Sequence, residues 1–211
     1  MEYQAVPKRS FDSITEAKAS GGLKNKLRLL SKGGDEAARF NNTVNAMVFQ
    51  YCANRIPEIS DEIYRIDDGM RTGFGWKMGP FEMWDAIGVK QTLDQMNSMG
   101  FEVPEWVHSM LASGATSFYK HQDGQRMYWD IPSASYKVLP GQEHFIILSN
   151  RKEDVVWKNS GTNLYDLGDG VLNLEFKTKM NSIGGEVLEG INHAISKAES
   201  EGWKGLVLGN D

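Results

Sequence analysis

The residues best placed by type and spacing to do chemistry lie in one stretch, GFGWKMGPFEMWDAIG, residues 73–88. Gly73, Gly75 and Gly79 invite comparison with a loop that cradles a pyrophosphate, where backbone N–H groups and a helix N-terminus meet the phosphate. That chemistry requires G-x-G-x-x-G directly after a strand. Here the third glycine comes one residue late, and Phe74, Trp76, Lys77 and Met78 crowd the intervals between them. Before the glycines, Ile56, Ile59, Ile63, Ile66 and Met70 recur at three- and four-residue steps, the period of a helix and not of a strand. The pattern predicts a tight connection between helices, shaped by the three glycines, with Phe74, Trp76, Phe81 and Trp84 filling a core around it.

The other reactive side chains point the same way. Cys52 lies in a helical pattern with no base nearby in sequence, which predicts a small buried apolar residue and not a nucleophile. His108, His121, His144 and His193 lack metal-ligand spacing and read as surface or helix-end residues. The acidic pairs Asp61-Glu62 and Asp67-Asp68 read as helix-terminus and solvated-face residues. From these residues we expect no catalytic group and no metal site.

The elements that position these residues are mostly helical up to about residue 115. Residues 1–21 mix charge, serine and glycine and read as a linker. Leu23, Leu27 and Leu30 predict a short helix that Gly33-Gly34 ends. A longer helix follows Asn41-Asn42-Thr43 as cap candidates, with Val44, Met47, Val48 and Tyr51 forming its apolar face. Pro57 interrupts the pattern, and the stripe over 56–70 resumes it. Pro80 suits a first helical position, Phe81, Trp84 and Ile87 line the helix, and Gly88 stops it. Two more helices are expected, over 89–100 and 104–114.

Beyond residue 115 the period changes. RMYWDI and SYKVL predict two strands about a Pro-Ser turn. The apolar FIIL and the charged NRKED that follows it read as a connector between domains. Asp169-Gly170 between two alternating runs predicts a hairpin, followed by a helix over 185–201. GLVLG at the end predicts a strand buried on both faces. Such a strand wants further partners, so we expect the chain to be a piece of a longer protein, cut inside a second domain.

Composition narrows the function classes. A chain of 211 residues can hold one domain with a sizeable core plus part of another. A formal charge of −5 argues against a nucleic-acid surface, and the basic residues Lys24, Lys26, Arg28 and Lys32 read as a solvated helix face. There is neither a membrane-length apolar run nor a signal peptide, so a cytoplasmic setting is expected.

EISDEIYRIDDGMRTGFGWKMGPFEMWDAIGV, residues 58–89, resembles the C-terminal helical domain of the L-3-hydroxyacyl-CoA dehydrogenase family. The shared run comprises Ile66-Asp67, Gly73-Phe74-Gly75, Gly79-Pro80-Phe81-Glu82, and Asp85 with Gly88. The tail, DGVLNLEFKTKMNSIGGEVLEGINHAI and GLVLGND, resembles the opening of the enoyl-CoA hydratase (crotonase) family. There Lys179-Met180-Asn181-Ser182-Ile183 stands where that family has Lys-Arg-Asn-Ala-Leu. Helical dehydrogenase domain followed by hydratase is the order of long bacterial β-oxidation proteins, which begin with an NAD-binding Rossmann domain and carry two copies of the helical domain.

The resemblance implies a mainly α fold of the 6-phosphogluconate-dehydrogenase C-terminal type, followed by a small incomplete α/β segment. The implied division is a linker over 1–22, the second helical copy over 23–120, a hairpin and connector over 121–159, and the hydratase start over 160–211. It implies NAD and an acyl-CoA substrate for the parent enzyme, with the NAD site and the catalytic His and Glu in the Rossmann domain. This segment would then hold no cofactor and serve to pack against other domains of the same polypeptide and against itself. In the first helical copy an Asn-Arg pair brings its Asn to the substrate. Asn54-Arg55 matches in type but lies at a helix end, so that role is not carried over. Lys179, Met180 and Ser182 are the candidates to border a CoA site, and the oxyanion loop of a hydratase would begin where this chain stops. The alternative from another class is a free-standing helical interaction domain without enzymatic activity.

Overall fold

The computed structural model describes residues 9–142 and 144–210, so residues 1–8 of the expected linker lie outside the described residues. The chain divides into two compact units, one of residues 1–120 with 127–138, the other of 121–126 with 139–211.

In the first unit seven helices run in order: α1 (Asp12–Ala19), α2 (Leu23–Lys32), α3 (Glu36–Asn54), α4 (Ile63–Phe74), α5 (Pro80–Ile87), α6 (Val89–Ser98) and α7 (Glu105–Ala112). After α7 the strands β1 (Tyr119–Gln122), β2 (Gln125–Asp130) and β3 (Ser135–Val138) make a sheet in that order, of which residues 121–126 count with the second unit. Phe49, Ile63, Phe81, Trp84, Met96, Met110 and Phe118 form a fully buried core. Among the described residues no helix is long and apolar enough to cross a membrane.

Several expectations are corrected here. The stretch read as linker contains α1, because Ser13 donates from its backbone N (2.9 Å) and its hydroxyl (2.7 Å) to Asp35. That carboxylate also caps α3 by accepting from Ala38 N at 2.9 Å, so α3 begins at Glu36, ahead of the Asn41-Asn42-Thr43 cap candidates, which lie inside it. The inward face of α3 is Ala38, Ala46, Phe49, Cys52 and Ala53, whereas Val44, Met47 and Tyr51 point outward. Small residues prevail inside because α5 comes close, with Phe49 stacked on Trp84 at 5.1 Å and 6°. Ile59 is exposed, since α3 ends at Asn54 and α4 starts only at Ile63, leaving it in the turn between them. Phe74 is 74% exposed and Trp76 half-buried, so Phe81 and Trp84 alone of the four motif aromatics are fully buried.

In the second unit, β4 (Val155–Lys158), β5 (Thr162–Asp166), β6 (Val171–Phe176) and β7 (Gly205–Leu208) make a sheet in that order. The first two pairings are antiparallel, and β7 joins β6 in parallel after α8 (Gly185–Ser200) crosses over. Leu164, Leu172 and Leu174 alternate onto the face that Ala194 of α8 covers. The predicted hairpin turns through Gly168, Asp169 and Gly170, all with positive φ. β4 lies inside the expected connector and belongs to this sheet, where Trp157 packs against the α8-side core. β7 is not buried on both faces: it is the sheet edge, and Val207 and Leu208 are exposed.

Candidate functional site: a buried polar frame around the glycine loop

α4 ends at Gly75, whose left-handed φ of 67° turns the chain out of the helix. α5 restarts with Gly79 at its N-cap and Pro80 in the first turn, and the Glu82 carboxylate accepts from Gly79 N at 2.7 Å. Asp67 stands on α4, four residues after the buried Ile63 and on the same face. Its carboxylate is fully buried and accepts from Phe81 N (2.9 Å), Glu82 N (3.1 Å) and Tyr119 Oη–H (2.8 Å). The solvated role expected for Asp67 is therefore corrected: it caps α5 from a neighbouring helix. Asp61 is exposed, Glu62 pairs with Arg65 at 2.8 Å, and Asp68 is half-exposed beside Arg71.

Gly79 is required by this approach, because a Cβ there would run into the Asp67 side chain. Gly79→Ala is expected to destabilise the helical unit by about 1–3 kcal/mol, the cost of overpacking a site that cannot move apart. Urea unfolding followed by helical circular dichroism measures it, and an unchanged midpoint would show that α4 and α5 are not locked at this point.

Asp85 completes the frame from the last turns of α5, accepting from Phe118 N (2.7 Å) and Tyr119 N (2.8 Å). Tyr119 thus ties both acids, through its hydroxyl and its backbone. Arg71 joins Asp68 to Glu82 along the rim. Burial raises Asp67 to about 7 against the pull of its hydrogen bonds to Phe81 and Tyr119. Asp85 is raised to about 7 by burial, opposed by Phe118 and Tyr119, with the charge of Asp67 adding to the rise and Lys24 countering it. Around this frame Phe118 meets Phe81 at 5.0 Å and Trp84 at 5.1 Å, and the Trp106 indole donates to Ala53 O at 3.2 Å.

This geometry answers what the glycines do. The N-terminal amides of α5, where a pyrophosphate would dock, are already occupied by the protein's own Asp67 and Glu82 carboxylates. The loop does not fit NAD.

The remaining sequence-predicted residues stand apart from the frame. Burial, with the nearby charge of Asp67, pushes the Cys52 thiol up to about 11, so it stays protonated. The Asn54 side chain turns back to donate to Gln50 O at 2.9 Å. His108 is half-buried on α7, His121 is in β1, His144 is exposed, and His193 stacks on Trp157 at 4.2 Å. Among the described residues no three His, Cys, Asp or Glu gather as metal ligands. Lys179, Met180 and Ser182 lie together on one exposed turn, Met180 with 92% of its surface open, closed by Thr178 Oγ1 donating to Ser182 O at 2.7 Å.

Residues 41–123, from within α3 to the turn after β1, match the family profile "3-hydroxyacyl-CoA dehydrogenase, C-terminal domain". The chain is 37% identical over 212 aligned residues to the "Probable 3-hydroxyacyl-CoA dehydrogenase" of Bacillus subtilis (strain 168), an alignment covering 100% of this chain and 26% of that protein. It is 25% identical over 157 residues to a "Putative fatty acid oxidation complex trifunctional enzyme" of Rickettsia felis (strain ATCC VR-1525 / URRWXCal2), covering 73% of this chain and 18% of that protein. To the protein of the same name from Rickettsia prowazekii (strain Madrid E) it is 24% identical over 208 residues, covering 96% of this chain and 24% of that one. The chain thus spans between 18% and 26% of the length of these curated relatives. No solved structure matches it significantly.

Proposed function

We propose that the chain is a helical packing module of an NAD-dependent L-3-hydroxyacyl-CoA dehydrogenase of fatty-acid β-oxidation, working in the cytoplasm within a longer polypeptide. The observation that carries this reading is where the polar groups of the motif go. Asp67, Glu82 and Asp85 all spend their carboxylates on backbone amides of the same unit, and Tyr119 is held between two of them. A motif built this way engages its acids in positioning helices, which supports a packing role.

In this reading residues 160–211 open an enoyl-CoA hydratase domain, supported by the order hairpin, helix, parallel strand, with Lys179, Met180 and Ser182 near its CoA site. NAD binding and the dehydrogenase chemistry belong to other domains of the same polypeptide, which the names and lengths of the relatives support. The purified chain, given an L-3-hydroxyacyl-CoA and NAD⁺, is expected to produce no NADH absorbance above a no-protein control. Turnover above that control would overturn the non-catalytic assignment.

A further inference from the structure

We draw no further inference here: the strongest candidate, the apolar hollow beside Arg55 between α3 and α4, is an open face of the helical unit, and nothing in the structure shows what covers it.

Discussion

Replacing Trp84 with alanine is expected to cost the helical unit about 3–5 kcal/mol, the range for deleting a large aromatic from a core that cannot collapse. The ring has no exposed surface, stacks on Phe49, meets Phe118 at 5.1 Å, and its indole N–H donates to Val89 O at 3.3 Å. Truncation therefore removes packing from α3, from the segment before β1 and from the α5–α6 junction together, along with the indole's hydrogen bond to Val89 O. Phe74→Ala serves as the control. Phe74 belongs to the same motif but projects into solvent, so its loss is expected to stay within about 0.5 kcal/mol. Helical circular dichroism in urea reads both, because the helices α1–α7 belong to one unit. Equal effects for the two variants would mean that the motif aromatics do not divide into core and surface as described.

That division was only half legible in the sequence, and the reasons are physical. Punctuation read well: Gly33 ends α2, Pro80 and Gly88 bracket α5, and Asp169-Gly170 turns the β5–β6 hairpin. Periodicity, in contrast, finds an apolar face without saying which of two faces is inside. On α3 the larger residues Val44, Met47 and Tyr51 drew the assignment, while burial went to alanines, Cys52 and Phe49, because close approach between helices rewards small side chains. The strands β1 (YKHQ) and β4 (VVWK) show no apolar-polar alternation, so periodicity passes over them, while the turn after β1 is built on Asp123-Gly124, both at positive φ. β7 is apolar like a central strand but lies at the edge, a distinction set by what pairs beyond it and not by its own residues.

The frame itself was hidden in Asp67, because an acid in an Asp-Asp pair reads as solvated. The available signal was its phase, four residues after Ile63 on the inward face. Asp67→Ala is expected to cost about 3–5 kcal/mol, since it strands the buried Phe81 N and the part-buried Glu82 N and Tyr119 hydroxyl, at roughly 1–3 kcal/mol each with partial relief by relaxation and water. Asp67→Asn keeps the volume and removes the titration, and its use is in the pH dependence. In the folded chain Asp67 and Asp85 are both raised from the ordinary 3.8 to about 7. Between those values the folded state holds protons that the unfolded state has released, so these two groups make stability fall as pH rises through the window. Asp130, lowered by Lys137 and Ser133 against the effect of burial, acts in the opposite sense, and only at acid pH below that window. Urea unfolding is therefore expected to give a higher stability at pH 5 than at pH 8 in the natural chain, with a smaller difference in Asp67→Asn, where Asp85 alone remains to titrate. A stability that rises from pH 5 to pH 8, or a slope unchanged by the substitution, would mean that the hydrogen bonds from Phe81, Glu82 and Tyr119 outweigh burial and hold Asp67 ionised, turning the frame from a proton-holding contact into a fixed negative cap on α5.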